Sequence, residues 1–163
     1  MTSRIRPIRG DDIEDVVRLS LAAWEPVFLS FQRVLGPEIY ARIYPDWTTS
    51  QAAAVESVCT DSRNVTWVAE EDGVVVGFIA YELKAKAKVG EVHMLAVHPQ
   101  HQNGGIGTRL NDFALDRMRE GGMVLAEVGT GGDPGHAPAR RSYEKAGYTA
   151  LPLVRYYKAL SPA

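Results

Sequence analysis

The 163 residues contain a single cysteine, Cys59, which excludes an internal disulfide and any multi-cysteine metal site. Cys59 lies among Ala53, Ala54, Val55 and Val58 in an expected helix, where it reads as a buried, inert thiol. No apolar run reaches the length of a membrane span, and the N-terminus begins with charged residues rather than an apolar signal core. A cytoplasmic protein without a membrane partner is the resulting expectation. Lysine and arginine never form a run that would track a nucleic-acid backbone, and the formal net charge is −2, so no nucleic-acid partner is expected. Lys84, Lys86 and Lys88 alternate at strand period and read as a solvated strand face. There is neither a repeat nor a low-complexity segment.

What is present is a hydrophobic content of 45%, enough for one domain, 1–163, with its own core. Arg4–Arg9 predicts a short edge strand marked by Pro7. Asp11 or Asp12 then caps a helix through about Trp24, with Ile13, Val16, Val17, Leu19, Leu21 and Ala22 on its apolar face. Pro26 makes the next helix separate or kinked, and Gly36-Pro37 and Pro45 break an aromatic stretch into two short helical pieces. The aromatics Trp24, Phe28, Phe31, Tyr40, Tyr44 and Trp47 read as core, with a binding-cleft wall as the other reading. Thr48 or Thr49 caps a helix through about Thr60.

Val65–Glu70 and Val74–Leu83 form a hairpin around Asp72-Gly73. Gly77 inside the second strand signals a bulge or a close backbone approach. A strand follows at Val89–Val97, then a helix at Gly105–Glu120 stopped by Gly121-Gly122, and a strand at Met123–Val128. The loop Gly129–Gly135 is too rich in glycine for regular structure. A helix at Ala137–Ala146 closes at Gly147, and Tyr148–Leu160 supplies one or two last strands. The order β-α-α-α-β-β-β-α-β-α-β predicts an α/β, or α+β, mixed sheet flanked by helices.

Between the strand ending at Val97 and the helix after it stands His98–Leu110, HPQHQNGGIGTRL. Three glycines at a strand-to-helix turn allow backbone N–H groups to face an anion, because the first four N–H groups of a helix lack intrahelical partners. No lysine follows these glycines as a Walker loop requires, and Leu110 stands where a Rossmann fingerprint needs its third glycine. A turn that binds phosphate through backbone amides alone remains.

Gln102-Asn103-Gly104-Gly105-Ile106-Gly107 matches the Q/R-x-x-G-x-G/A signature of the GNAT superfamily of acyl-CoA-dependent N-acyltransferases. Val97-x-Pro99 upstream and Leu110 downstream extend the match. About 40 residues further on, Ala139-x-x-x-Tyr143-Glu144-Lys145-x-Gly147-Tyr148 resembles the family's A-x-x-x-Y-E-K-x-G-F element. The resemblance follows the element order over residues 4–160 and is specific over about 91–148.

That resemblance implies a splayed central mixed sheet and direct transfer of an acetyl group from acetyl-CoA to an amine acceptor, without a metal. It implies that amides of Asn103, Gly104, Gly105, Ile106, Gly107 and Thr108, behind Gln102, hold the CoA pyrophosphate. The backbone of Leu95, Ala96 and Val97 would pair with pantetheine, whose two amides match an open strand edge. The strands at Val89–Val97 and Met123–Val128 would splay apart to leave room for the acyl group.

Acyl transfer to an amine needs a neutral amine, a stabilised oxyanion and a proton for the departing thiolate. A backbone N–H at Leu95 or its neighbour fits the second need. The resemblance assigns the proton donor to Tyr143. Glu91 and His93 share a face with Leu95 by strand alternation, and either suits the general base. His98 and His101 are expected to meet solvent or phosphate. His136 stands where the family often has an asparagine, and would replace its hydrogen bonds to the cofactor or face substrate; Ala139 borders the same region. Asp133 either docks an amine or caps a turn. Glu25, Glu38 or Asp46 in the aromatic segment would suit a small amine. A protein or peptide acceptor, or a non-catalytic acyl-CoA-binding module, are the other readings, and a homodimer is the family's common habit.

Overall fold

The computed structural model describes residues 2–162, so both ends of the expected 1–163 domain lie outside the described residues. Its elements are β1 (Arg4–Pro7), α1 (Ile13–Ile43), α2 (Trp47–Thr60), β2 (Asn64–Glu71), β3 (Val74–Lys84), β4 (Val89–Val97), α3 (Ile106–Glu120), β5 (Leu125–Val128) and α4 (Ala137–Lys145). The five strands form one sheet in the order β1-β2-β3-β4-β5. All neighbours run antiparallel except β4 and β5, which are parallel. The mixed sheet with flanking helices is the architecture expected.

β3 is apolar along its length because both its faces are covered. Val76, Ile79 and Tyr81 turn toward α3 and pack with Leu110, Ala114 and Met118. Val75, Phe78 and Ala80 turn the other way, onto Val16 and Leu19 of α1 and Val55 of α2. A fully buried side chain such as Leu110 contributes about 2 kcal/mol through its removal from water. Gly77 is the close approach foreseen. A Cβ there would lie 3.1 Å from the Ala96 carbonyl and 3.3 Å from Ile106 and Leu110 of α3.

Four expectations need correction. Pro26 does not break α1, because proline costs the helix one N–H while Val16, Leu19, Val27 and Phe28 all stay buried on the same helix. The break expected at Gly36-Pro37 is present: Gly36, with φ of 76° and ψ of 161°, leaves the helical region. α2 is capped by Asp46, which accepts from the Thr49 N–H at 3.3 Å, not by a threonine. Lys86 and Lys88 lie in the turn after β3 rather than on a strand face, with Lys88 at φ 55°. Tyr148–Leu160 forms no strand. No helix among the described residues is long and apolar enough to cross a membrane.

Candidate active site

β4 outruns its neighbour. It pairs with β5 only from Val89 to Val92, opposite Leu125–Val128, and continues alone on that side from His93 to Val97. The expected splay is therefore present, and it opens a cavity of about 620 Å³. Besides β4, the lining includes Val128, Gly129 and Thr130, residues of α4, and Trp24 and Val27 of α1.

The glycine turn borders the same cavity. Gly105 is the N-cap of α3 at φ 85°, a conformation that glycine adopts without steric cost. The backbone N–H groups of residues 103–108 donate to no backbone carbonyl among the described residues; Arg109 makes the first helical bond, to Gly105, at 3.0 Å. Gln102 braces the turn by donating Nε2–H to the Val97 carbonyl at 3.0 Å. His98 and His101 are held in place within the turn: the Gln100 N–H donates to His98 Nδ1 at 3.2 Å, and His101, which borders the cavity, meets Glu71 through Nδ1 at 3.0 Å. A row of unpaired N–H groups at a helix N-terminus fits a pyrophosphate.

Of the site residues expected, Leu95, Ala96, Val97, Gln102, Asn103, Gly105, Ile106, Gly107, Thr108, His93, His136, Ala139 and Tyr143 all border this cavity, while Glu91 and Gly104 do not. A bulge explains the separation of Glu91 and His93 from Leu95. Ala80 pairs with Met94 and Tyr81 with Val92, so His93 is an extra residue in β4. Beyond it the alternation reverses: Met94 packs on the α1–α2 side and Leu95 on the α3 side. Leu95 therefore does not share the face of Glu91 and His93, contrary to simple alternation.

His93 Nε2 meets Glu82 Oε2 at 3.0 Å, and its Nδ1 lies 3.9 Å from Glu91. Glu91 is also paired with Lys84, which reaches Glu127 of β5 at 3.3 Å. Tyr143 is desolvated on α4, and burial pushes its hydroxyl up to about 12. It therefore stays protonated at neutral pH.

His136, the N-cap of α4, stands seven residues before Tyr143 and so on the same helix face. Its Nδ1 pairs with Asp133 Oδ1. Ser30 of α1 donates its hydroxyl to Asp133 Oδ2 at 2.6 Å, and the Gly135 N–H donates to Ser30 Oγ at 2.9 Å. Gly135 is required by that contact, since a Cβ would sit 2.6 Å from the Ser30 Cβ. Burial pushes the Asp133 carboxyl up, but the bonds from Ser30 and His136 outweigh it and hold the carboxylate below its ordinary range. Asp133 is thus a turn cap and the partner of His136. The sequence did not mark Ser30, because a serine among helical apolar residues carries no signal of a contact 103 positions away.

Asp46 and Glu38 are engaged elsewhere, as the α2 cap and in a 3.5 Å ion pair with Arg42. The aromatic segment does both things foreseen for it. Phe28 is buried and stacks on Trp47 at 4.3 Å, while Trp24 borders the cavity and Phe31 lies 5.5 Å from the His136 ring. Cys59 is half-buried and its thiol is pushed up to about 11 by burial, as an inert thiol should be.

The sheet is split at two parallel strands, with unpaired N–H groups at the turn after the longer one and a cavity between them, a frame on which a group donor and an acceptor can meet. The chain belongs to the Acetyltransferase (GNAT) family, whose model matches residues 30–148. It is 31% identical over 137 residues to an uncharacterised N-acetyltransferase of Archaeoglobus fulgidus, covering 78% of this chain and 81% of that one. It is 39% identical over 87 residues to a mycothiol acetyltransferase of Sanguibacter keddieii, covering 50% of this chain but only 27% of that longer protein. Among solved structures, the PaiA N-acetyltransferase of Thermoplasma acidophilum in complex with coenzyme A superposes with a TM-score of 0.69 at 17% identity, over 93% of this chain and 92% of that one. That likeness shows the fold.

Proposed function

We propose that this protein transfers the acetyl group of acetyl-CoA directly to a primary amine of a small molecule. The observation that carries this reading is one cavity bordered by Asn103 and residues 105–108 of the turn with its unpaired N–H groups, the free edge of β4, His93 and Tyr143. The turn holds the pyrophosphate, and the free β4 backbone at Leu95–Val97 orders the pantetheine amides. His93, oriented by Glu82 with Glu91 behind it, takes the proton of the attacking amine. The amine nitrogen bonds to the thioester carbonyl carbon, and the oxyanion is met by the β4 backbone at Leu95 or its neighbour. The C–S bond then breaks, and Tyr143 gives its proton to the departing thiolate. The products are the N-acetylated amine and CoA with a free thiol. His136, fixed by Asp133, supplies a hydrogen bond to the donor in place of the family's asparagine.

The aromatic and apolar lining that Trp24 and Val27 add beside the free β4 edge supports a small acceptor over a protein surface. The test is a mass-spectrometric screen of polyamines, aminoglycosides, amino acids and peptides with acetyl-CoA. Acetylation of a small amine is expected. Acetylation of peptides alone would replace the acceptor class, and acetyl-CoA binding without any turnover would reduce the chain to a binding module.

A further inference from the structure

Among the described residues, the lining of the cavity contains no lysine, arginine, aspartate or glutamate. Only His93, His101 and His136 in that lining can take a positive charge. The arginines closest in sequence to the lining are engaged elsewhere. Arg109, in the first turn of α3, donates to the Ser3 hydroxyl at 2.6 Å and the Ser3 carbonyl at 2.5 Å. Arg140 of α4 donates to the Gly131 carbonyl at 2.6 Å and the Asp133 carbonyl at 2.8 Å. Two ionised phosphates at the turn would meet backbone N–H groups and partial charge, but no permanent cation.

The chain has four histidines, and their partners sort them. His98 Nδ1 accepts from the Gln100 N–H at 3.2 Å, so a second proton on that ring would break the bond. His93 lies on the β4 bulge with Glu82 on its Nε2, and His136 caps α4 beside Asp133. His101 alone both stands in the turn and borders the cavity. Its Nδ1 meets Glu71 Oε2 at 3.0 Å. A carboxylate offers only lone pairs, so Nδ1 must carry the proton. Nε2, across the ring, makes no hydrogen bond among the described residues. In the neutral ring Nε2 therefore presents a lone pair, which repels a phosphate oxygen. In the imidazolium it presents an N–H, which makes a charge-assisted hydrogen bond to one. Glu71 thus restricts His101 to serving an anion only when doubly protonated.

We infer that His101 is a proton-coupled contact for the donor's pyrophosphate: binding draws a proton onto its Nε2, and Glu71 enforces the coupling. The inference rests on the acetyl-CoA reading of the turn. The charged and titratable groups around His101 leave that role to it. From β2 it faces Glu71, and within its own turn the His98 ring lies 5.8 Å away. α1 packs against the turn, where its lining residues Ala23, Trp24, Pro26 and Val27 are uncharged; Glu25 between them is exposed and outside the lining. α3 brings Arg109, which is held by Ser3. The sign follows from linkage. Donor binds the protonated ring better, so affinity is highest at acid pH, where the free ring already carries the proton. It falls as pH rises through the ordinary imidazole range, near about 6.5.

The probe is 3′-dephospho-CoA, because the 3′-phosphate of CoA titrates on its own near about pH 6, whereas a pyrophosphate diester stays ionised. The full-length protein is titrated by calorimetry from about pH 5.5 to about pH 8.5, a range that brackets an ordinary imidazole. At neutral pH the titration is repeated in two buffers of different ionisation heat, which counts the protons taken up. The wild type is expected to bind roughly ten- to a hundredfold more tightly at the acid end, the worth of a hydrogen bond to a charged group, with net proton uptake. His101→Gln should bind with the wild type's alkaline affinity at every pH. His101→Lys, a permanent cation across this range, should bind tightly with neither pH dependence nor uptake. Glu71→Gln, which lets the neutral ring carry its proton on Nε2, should shrink the uptake. Wild-type binding that is flat with pH, or a pH dependence that survives His101→Gln, would overturn the inference while leaving the turn's assignment intact. No binding by the wild type at any pH would overturn both.

Discussion

His93 and Glu82 meet across the β3–β4 pair, imidazole Nε2 to carboxylate Oε2 at 3.0 Å, because a bulge inserts His93 where regular alternation has no place for it. The carboxylate orients the ring, and the bulge turns it to the cavity. His93→Ala is expected to lower turnover by roughly a hundred- to ten-thousand-fold, the usual worth of a positioned base. Added imidazole should restore part of it. Glu82→Gln, which keeps the ring but weakens its anchor, should cost less and respond less to imidazole. Steady-state kinetics of both variants decide the point, and full activity in His93→Ala would move the base elsewhere.

Tyr143→Phe removes only the hydroxyl. Turnover is expected to fall by roughly ten- to a thousand-fold, with acetyl-CoA affinity by calorimetry nearly unchanged. The pH dependence has a definite sign. An ordinary tyrosine loses its proton near about pH 10. Tyr143, raised to about 12, remains a donor well above that and fails only as pH approaches its own value. The ratio of wild-type to Tyr143→Phe turnover should therefore stay constant through pH 10.

The two inner glycines of the turn should separate folding from binding. Gly105 needs its positive φ, so Gly105→Val strains the backbone and is expected to lower the melting temperature as well as abolish CoA binding. At Gly107 a Cβ would meet nothing closer than Val97 at 3.6 Å, an ordinary contact. Gly107→Val should fold with near-native stability and still lose CoA, because the added methyls occupy the space the phosphates need. Calorimetric titration with CoA beside thermal melts reads both effects. Normal CoA binding in both variants would break the assignment of the turn.

Most of the fold was legible because its signals are local. The Asp72-Gly73 hairpin, the glycine turn, β4 and the helix stop at Gly121-Gly122 each depend on residues within a few positions. What escaped depended on distant partners. Pro26 looked like a break because nothing in the sequence shows Phe28 meeting Trp47. Tyr148–Leu160 looked like strands because propensity says nothing of whether an edge is available within the chain. The site shows the same division. The motifs marked the turn and Tyr143, and both border the cavity, whereas the face of Leu95 was misjudged because one bulged residue reverses the alternation.

Arg6 sits on the edge strand β1 yet is buried. Its Nη1 and Nη2 donate to Asp12 at 2.7 and 2.9 Å, and its Nε donates to Glu70 at 2.7 Å. The Arg6 bond holds the Asp12 carboxyl below its ordinary value despite burial. A depressed carboxyl stabilises the fold fully above its unfolded value, and that stabilisation is lost as pH falls through the folded one. Asp12→Asn leaves the buried guanidinium with Glu70 as its remaining carboxylate partner and is expected to cost about 1–3 kcal/mol. Its melting temperature should also depend less on pH in the acid range than that of the wild type.

His136 supplies the sharpest contrast with His93, since both are imidazoles on one cavity and both are held by a carboxylate. They differ in what surrounds them. His93 sits at the mouth of the splay with Glu91 behind it, whereas His136 caps α4 against a loop pinned to α1 through Ser30 and Asp133. A ring locked by its own loop suits holding the donor, so His136→Ala should weaken acetyl-CoA binding by roughly the worth of one hydrogen bond, about 1 kcal/mol, with turnover at saturating donor nearly intact. His136→Asn, which restores an amide at the position, should recover most of that affinity. If His136→Ala instead lowers turnover as deeply as His93→Ala and leaves donor affinity unchanged, the roles of the two histidines are exchanged.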